Sequence, residues 1–365
     1  MDIDQKLFVQ LKSALPAELF ERNELRFLAS AFRACALVVL ATALAAKFIP
    51  MTLWAIPLWI LYAVVNGTFG TGVWVIAHEC GHGSFSKHKI LNDILGYPLH
   101  TLLLVPYFSW QYSHGVHHSR TNHLDEGETH VPVRQGEQGE RTHNKVRRLI
   151  GDDAFSVMNI FILTTIGWPL YLIRGVTGGP ARGKTNHFVP GRNNQLFPEP
   201  WYAKIWASTL GVFAVLFGLG YLSLVYGAWR MVALYWGPYM MVNAWLVVYT
   251  YLHHTDPDTP HYDASSWNWT KGALCTIERN YPGIVNWLHF EIGSTHVVHH
   301  LFSALPHYNA NAARKILEPK FGQYYRVDKR PFYESLYEAG KVCVSVKESE
   351  RRGEWRYTAE CSADL

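Results

Sequence analysis

Residues 52–77 read TLWAIPLWILYAVVNGTFGTGVWVIA, and HECGH follows directly at positions 78–82. The apolar run is long enough to cross the hydrocarbon core of a membrane as a helix, which needs about 20 residues. Histidines four positions apart, such as His78 and His82, share one face of a helix. The stretch therefore predicts a membrane-spanning helix that ends in two imidazoles aimed at one point.

The rest of the chain contains further apolar stretches of two kinds. Three are long enough to span a membrane: 28–49, 203–229 and 231–252. Two more, 91–110 and 155–173, are shorter and interrupted by prolines, and we expect interfacial or re-entrant helices there. With 52–77, the long stretches predict four transmembrane helices in two hairpins.

The distribution of positive charge predicts how these hairpins are oriented. Segment 130–202 is rich in Lys and Arg, whereas the short connectors within the two pairs offer only Lys47 and Arg230. By the positive-inside rule the long segment and both termini are predicted to be cytoplasmic. Two crossings precede the segment and two follow it, so residues 78–202 and those after 252 should share one side of the membrane.

These observations predict an all-α polytopic membrane protein with interfacial helices and a cytoplasmic helical cap. The predicted parts are a cytoplasmic or interfacial segment at 1–27, a membrane domain at 28–345 and a polar tail at 346–365. Segment 5–26 is amphipathic and broken at Pro16, which suits an interfacial lead-in.

Composition excludes some classes of protein. The net charge of +4 is diffuse and forms no Lys/Arg-rich run, which argues against a nucleic-acid partner. Charged residues make up only 17% and aromatic residues 14% of the chain, as expected where Trp and Tyr line two membrane–water interfaces. Five scattered cysteines without a CxxC motif predict no disulfide framework and a reducing compartment: Cys35, Cys80, Cys275, Cys343 and Cys361.

Two further histidine clusters have the pattern HxxHH. They are HGVHH at 114–118 and HVVHH at 296–300, and His254 closes the fourth span. Each HxxHH aims three imidazoles at one point of a helical face. A tetrahedral zinc ion would use only four ligands, so the surplus of imidazoles favours two metal ions. Imidazole alone leaves iron, copper, zinc and nickel open.

The other histidines and the nearby aromatic residues are predicted to play lesser parts. We expect solvated loop residues at His88, His123, His130, His143, His187 and His261. His100, His289 and His307 are not expected to be ligands. The aromatic residues around the second cluster, Tyr107, Phe108, Trp110 and Tyr112, are expected either to line a lipid channel or to anchor the chain at the interface.

Two other classes of function are compatible with part of the pattern. HECGH matches the HExxH motif of zinc proteases, in which Glu79 would be the general base. That hypothesis leaves both HxxHH clusters without a role. A histidine-rich zinc transporter would place its ligands near the bilayer midplane, whereas these clusters lie at and beyond the ends of spans.

At these clusters the sequence resembles the membrane fatty-acid desaturases, most closely the acyl-lipid Δ12 (oleate) group. The matching stretches are AHECGHGSFS (77–86), LLVPYFSWQYSHGVHHSRTNHLDEGETHVP (103–132), YLHHTDPDTPHYD (251–263) and THVVHHLFSALPHYNA (295–310). The resemblance implies two non-haem iron ions, dioxygen as cosubstrate and an acyl-lipid or acyl-CoA substrate. The implied ligands are His78, His82, His114, His117, His118, His254, His296, His299 and His300.

The resemblance also implies partners and a location. Electrons would come from a separate donor, cytochrome b5 with its reductase, or ferredoxin if the protein is plastidial. The implied location is the endoplasmic reticulum membrane, with the site facing the cytoplasm. The implied reaction is Δ12 desaturation of oleate to linoleate, with omega-3 (Δ15) desaturation, hydroxylation or conjugase activity as alternatives. Gly83-Ser84 is more similar to the omega-3 enzymes.

Carboxylates beyond the clusters are candidates for orienting the imidazoles, as second-layer carboxylates do in many metal sites. We single out Asp125, Glu126, Glu128 and Asp263. The alternative for each is an ordinary solvated loop residue.

Overall fold

The computed structural model describes residues 3–358. Within them the chain is mostly helical, as predicted. The helices are α1 (Ile3–Ala14), α2 (Glu24–Phe48), α3 (Ile56–Gly81), α4 (Lys89–Leu102), α5 (Tyr107–Ser119), α6 (Gln138–Ile150), α7 (Asp152–Ile162), α8 (Trp168–Arg174), α9 (Tyr202–Tyr226), α10 (Ala228–Met231), α11 (Gly237–His254), α12 (Trp269–Ala273), α13 (Gly283–Leu288), α14 (His296–Leu301), α15 (His307–Phe321) and α16 (Phe332–Val342). π-helical turns at Leu163–Gly167 and Val232–Trp236 join α7 to α8 and α10 to α11.

Five helical stretches in the described residues are long and apolar enough to cross a membrane. They are Glu24–Phe48, Leu53–Gly81, Asp152–Arg174, Glu199–Tyr226 and Ala228–His254. Four of them coincide with the predicted spans. The fifth contains segment 155–173, which was predicted to be interfacial or re-entrant. Because it meets the same criteria of length and composition, the prediction of four spans is not confirmed as a count.

The spans differ in how deeply they are buried in the protein. In α2 and α9 most side chains face outward, as lipid-facing helices should, whereas α3 is buried along its second half from Asn66 to Cys80. α3 packs against α11 so closely that a Cβ at Gly67 would lie 2.4 Å from Cβ of Met241. Glycine therefore permits this close approach, which brings the ends of both helices to the same place.

A second layer of helices forms the predicted cap over these ends. α1, α12, α14 and α15 share an apolar core that includes Leu11, Ala273, Val297, Val298 and Leu317. Val297 and Val298 are the two apolar residues inside the third histidine cluster, and both are fully buried. Their burial fixes the orientation of α14 and so of its histidines.

Two small sheets were not predicted by the all-α assignment. The strands are β1 (Val133–Arg134), β2 (His261–Tyr262), β3 (Glu278–Asn280), β4 (Val327–Pro331), β5 (Ser345–Glu348) and β6 (Glu354–Thr358). One sheet has the order β1-β5-β6-β2, and the other pairs β3 with β4 in parallel. Strands of two to five residues are too short to produce a clear period of two in the sequence, which explains why they were missed.

The region predicted as a polar tail is folded up to the end of the described residues. β5 and β6 form an antiparallel hairpin in which Val346 pairs with Tyr357. Three charged residues, Glu350, Arg351 and Arg352, lie in the turn between these strands, and four more lie within the strands. The boundary at 345 stays a prediction, and Cys361 lies outside the described residues. The other four cysteines are free.

Candidate metal centre and acyl cavity

The three histidine clusters and His254 lie at the ends of packed helices. HECG forms the last turn of α3, and His82 follows as its C-cap with helical dihedral angles. HGVHH lies in the second half of α5, HVVHH begins α14, and His254 is the last residue of α11. Each cluster is helical, so the spacings of three and four place its imidazoles on one face as predicted. The packing of α3 on α11 and of α14 in the cap then brings the four sources together.

The histidines form two adjacent groups. Ligand atoms of His78, His82, His114, His118 and His299 lie within 4.8 Å of one another, and so do those of His117, His254 and His300. His296 joins the second group, since its Nε2 lies 3.2 Å from Nε2 of His254. His118 and His300 connect the groups through rings stacked 4.1 Å apart. All nine predicted ligands are therefore brought together, five in one group and four in the other.

The distances between these nitrogens suit metal ligation. Nε2 of His114 lies 3.0 Å from Nε2 of His78 and 3.1 Å from Nε2 of His118. In the second group Nε2 of His117 and Nε2 of His254 are 3.1 Å apart. Two nitrogens bound to one ion at about 2.1 Å cannot lie more than roughly 4.2 Å apart, and these separations are well within that limit. The residues present therefore fit a metal ion in each group.

Several imidazole nitrogens in the two groups are not engaged in hydrogen bonds. Nε2 of His82, His299 and His300 is buried without a hydrogen-bond partner among the described residues. Such an atom is costly to bury unless something binds it. Burial also lowers the pKa of His82 and of His117 to about 3, so both rings are neutral at physiological pH. Neutral imidazole is the form that ligates metals.

Glu79 lies against two of these rings on the side opposite to the metal-facing nitrogens. Its Oε1 is 3.3 Å from Nδ1 of His78 and 4.0 Å from Nδ1 of His299, and its other oxygen accepts a hydrogen bond of 2.8 Å from Ser84. Oε1 of Glu79 and Nδ1 of His78 are within ion-pair distance, but they do not form a well-aligned hydrogen bond. A carboxylate there holds an imidazole with Nε2 directed at the metal. The sequence contained this signal, because Glu79 lies inside HECGH, but it was assigned only to the protease hypothesis.

The carboxylates predicted to orient the imidazoles have other partners. Asp125 forms an ion pair with Arg134, Glu126 with Arg120, and Asp263 accepts hydrogen bonds from Ser265. Glu128 is buried and makes a 2.6 Å hydrogen bond with the hydroxyl of Tyr171. A closer polar neighbour of the ligands is Thr121, whose hydroxyl lies 3.3 Å from Nδ1 of His300.

Three histidines predicted to be solvated are in fact buried. His123 accepts hydrogen bonds from the backbone amides of Asp125 and Glu126 and so orders its loop. His187 packs on the ring of Tyr171, and His261 lies in β2 against Tyr357. Loop packing has no periodicity in the sequence that could reveal such burial. His88 and His143 are exposed as predicted.

The remaining histidines have places outside the two groups. His130 is partly buried, with Nε2 3.0 Å from the hydroxyl of Thr250. His289 bridges the hydroxyl of Tyr249 and the carbonyl of Thr68, each at 2.8 Å. His253 stacks on His296 at 4.3 Å while its Nδ1 contacts the carbonyl of Ile277. His100 is enclosed by Trp74 and Trp110, and His307 lies 3.2 Å from Ser30.

An apolar cavity of about 320 Å³ runs along both histidine groups. His78 and His114 of the first group and His117, His254 and His296 of the second lie in its wall. Apolar and aromatic side chains form most of the rest, among them Trp74, Trp110, Leu163, Trp168, Leu246, Val247 and Ile292. The volume lies in the range of ligand sites. Trp110 lies in the wall of this cavity, whereas Tyr112 packs on Phe197 and Trp201.

The cavity extends from the deep interior to the surface near α6 and α7. Its inner wall includes Val75 and Leu246, which are buried, and its outer wall includes Ile162 and Val176, which are exposed. Ile162 belongs to the apolar stretch Asp152–Arg174. The opening therefore lies beside a helix whose outer face is suited to contact lipid.

Comparison with known proteins agrees with this geometry. The family model described as "Fatty acid desaturase" matches residues 57–331, more than half of the chain. The chain is 42% identical over 305 residues to a Delta(12)-fatty-acid desaturase of Arabidopsis thaliana, covering 82% of this chain and 77% of that protein. This chain belongs to the fatty acid desaturase family. It is also 39% identical over 341 residues to a Delta(12)-fatty-acid desaturase of Vernicia fordii, covering 93% of this chain and 87% of that protein.

A third relative is named for a different activity. This desaturase chain is 37% identical over 348 residues to an oleoyl-12-hydroxylase of Ricinus communis, covering 93% of the chain and 86% of the relative. Family membership makes this chain a membrane oxidoreductase that acts on fatty-acyl chains and takes electrons from an external donor.

The geometry of this desaturase disfavours the zinc-protease and transporter hypotheses. A catalytic zinc site keeps three protein ligands and an open position, whereas His78 and His82 belong to a group of five histidines. A general base must face the substrate. Glu79 is buried behind two imidazoles and is not part of the described cavity wall. The groups also lie at helix ends and not within the spans.

The meeting of the histidines constrains the topology of this desaturase. The chain passes through α7–α8, α9 and α10–α11 between His117 and His254, which is the last residue of α11. The Nε2 atoms of the two histidines are nevertheless 3.1 Å apart. An odd number of crossings between them would leave the two rings on opposite faces of the membrane. The chain therefore crosses an even number of times between these residues, so no more than two of the three candidate spans between them cross the membrane. The assignment of α9 and α10–α11 as the crossings stays a prediction.

Proposed function

We propose that the protein is a Δ12 desaturase that converts the oleoyl chain of a membrane lipid to a linoleoyl chain. The observation that carries this proposal is the apolar cavity whose wall contains histidines of both metal-binding groups. An alkyl chain suits such a wall, because most of its surface is apolar. The two relatives named as Δ12 desaturases, at 42% and 39% identity, support the position of the double bond.

The metals are proposed to be two iron ions, one in each histidine group. When bound, they would supply the activation of dioxygen and the removal of two hydrogens from neighbouring methylenes. The balanced reaction takes one –CH2–CH2– unit, O2, two electrons and two protons to one cis –CH=CH– unit and two water molecules. Two of the four electrons that reduce dioxygen thus come from the acyl chain and two from the donor.

The protein's own residues position the chain and keep water away. Trp74 and Trp110 pack beside His78 and His114, with Trp110 stacked on His114 at 4.6 Å. Trp168, Leu246 and Val247 continue the apolar wall. Because this wall is as apolar as the lipid tails around the protein, an acyl chain can move from the bilayer into the cavity without needing a polar contact along its length. The oxidised carbons would be those that lie beside the histidines.

The donor and the location belong to the same proposal. Each turnover consumes two electrons from outside the chain. We propose that cytochrome b5 and its reductase supply them. Two relatives are named as enzymes of the endoplasmic reticulum, an isozyme of Glycine max and an enzyme of Brassica juncea. We propose that membrane as the location, with both histidine groups facing the cytoplasm, because the cationic segment 130–202 lies on the same side of the membrane.

Fatty-acid profiling of yeast that expresses the chain tests the proposal. We expect 18:2 with double bonds at Δ9 and Δ12, formed from the yeast's own oleate, and no new product in cells expressing His117→Ala at equal protein level. Feeding linoleate separates the alternatives. An 18:3 product that appears only after feeding, or a 12-hydroxy product in place of 18:2, would contradict Δ12 desaturation.

A further inference from the structure

A second cavity reaches the metal-binding groups from a different direction. It has a volume of about 290 Å³ and includes His82 in its wall. Among the described residues, none of the other eight predicted ligands lines it, and it shares no lining residue with the acyl cavity. His82 is also one of only two predicted ligands that are partly exposed. The first histidine group can therefore be approached from the surface without passing through the acyl cavity.

The two cavities differ in chemical character. The acyl cavity is lined mainly by apolar side chains, whereas the cavity at His82 is lined by Arg22, Lys87 and Lys89 together with polar groups. No carboxylate is found in the described part of its wall. Lys87 is exposed, and Nε of Arg22 is buried without a hydrogen bond to any described residue.

Nearby carboxylates neutralise part of this charge. Asp93 lies 3.0 Å from Lys89, and Glu24 accepts a hydrogen bond from Ser86. Among the lining residues, Arg22 and Lys87 form no ion pair with any described carboxylate within 4.0 Å. The rim of the opening therefore retains positive charge that faces the solvent.

The proposed reaction needs two electrons from outside the chain, and they must enter one at a time or as a pair at one of the histidine groups. An apolar cavity filled by an acyl chain gives a hydrophilic donor protein no access. The cationic opening at the partly exposed His82 gives such a protein access. Its charge also attracts an acidic partner through long-range electrostatics.

Resting on the proposed function, we infer that Arg22, Lys87 and Lys89 form the docking surface for an acidic one-electron carrier protein. Electrons enter the first histidine group through His82. The carrier is oxidised by one electron in each encounter, and two encounters supply the pair that the reaction consumes.

Anaerobic stopped-flow reduction of the full-length, iron-loaded protein in lipid nanodiscs tests this inference. The probe is the reduced haem domain of cytochrome b5, whose oxidation is followed by its absorbance. At low ionic strength, Lys87→Glu is expected to slow this oxidation roughly tenfold, and added salt should close the gap to the unmodified protein. Lys89→Gln should act in the same direction in an independent variant.

Two controls keep the result specific. Lys87→Arg retains the charge and should retain the rate, and Lys315→Glu reverses an equally exposed charge on α15 and should leave the rate unchanged. Equal rates for Lys87→Glu and the unmodified protein at low salt would overturn the inference, and so would equal slowing by Lys315→Glu. Dithionite should reduce all variants alike. Failure of dithionite to reduce the unmodified protein would overturn the di-iron proposal itself and the inference with it.

Discussion

Glu79 and His78 are neighbours in the sequence, and Oε1 of Glu79 lies 3.3 Å from Nδ1 of His78 while Nε2 of that ring faces His114. The same oxygen is 4.0 Å from Nδ1 of His299, which comes from α14. One carboxylate thus contacts two candidate ligands from distant parts of the chain. Both belong to the first histidine group, so Glu79 ties α3 to the cap at the metal site.

Replacement of Glu79 should therefore weaken metal binding. We expect Glu79→Ala to reduce iron affinity about 10- to 100-fold, the usual cost of losing a carboxylate behind a ligating imidazole. Glu79→Gln keeps the shape and should have a smaller effect. Iron per chain after dialysis against a chelator measures this. Glu318→Ala, an exposed change on α15, is the control, and retention of full iron by Glu79→Ala would refute the role.

His254 is predicted to hold the second metal although it lies outside the three clusters. Its Nε2 is within 3.2 Å of Nε2 of both His117 and His296. His254→Ala should lower the iron content from two per chain towards one and abolish 18:2 formation in yeast. His88→Ala, at an exposed histidine, should change neither. Two retained irons in His254→Ala would show that His254 is not a ligand.

Filling the acyl cavity should block the reaction without removing the metals. Leu163 lines the cavity, and Leu163→Trp adds an indole to the space that the acyl chain would occupy. We expect at least a tenfold loss of 18:2 with iron content unchanged. Ile166→Trp is the matched control, because Ile166 lies one turn away and is 48% exposed. Undiminished 18:2 from Leu163→Trp would place the substrate elsewhere.

The buried carboxyl of Glu128 predicts a dependence of stability on pH. Burial raises its pKa to about 8, and the hydrogen bond to Tyr171 lies in the same apolar surroundings. Between about 4.5 and 8 the folded protein keeps a proton that the unfolded chain loses, so unfolding releases a proton and stability falls as pH rises. The fall is at most about 1.4 kcal/mol per pH unit and ends above the folded pKa.

Thermal denaturation in detergent at pH 5 to 8 measures this effect. Glu128→Gln cannot ionise and should lose less stability over that range than the unmodified protein. Glu126→Gln is the control, because the Arg120 guanidinium lowers the pKa of Glu126, which is already ionised across most of the range. Parallel pH profiles for the unmodified protein and Glu128→Gln would contradict the prediction.

The convergence of the histidines could be predicted from the sequence because helical spacing constrains these residues locally. In HxxHH the positions alone place three rings on one face, and the structure needs only to bring the helices together. His254 was found by its place at the end of a span. The contact of Glu79 with His299 could not be predicted, since it depends on how α14 packs on α3 and not on any spacing within HECGH.

The parts that were missed depend on packing between distant segments. His187 is buried because it meets Tyr171 from α8, and His261 because β2 pairs with β6 near the C-terminus. Neither contact leaves a periodic pattern in the sequence. Pro169 does not end the helical stretch Asp152–Arg174, because it follows the π-helical turn Leu163–Gly167 and the helix continues through α8. The prediction that segment 155–173 is interfacial or re-entrant stays a prediction.

Metal analysis of the purified full-length protein tests the central claim most directly, namely that nine converging histidines hold a pair of irons. Inductively coupled plasma mass spectrometry against amino-acid quantification should give close to two irons per chain in protein expressed with adequate iron. One zinc per chain with negligible iron would contradict the account, and so would the same two irons in a variant in which His78, His117 and His299 are all alanine.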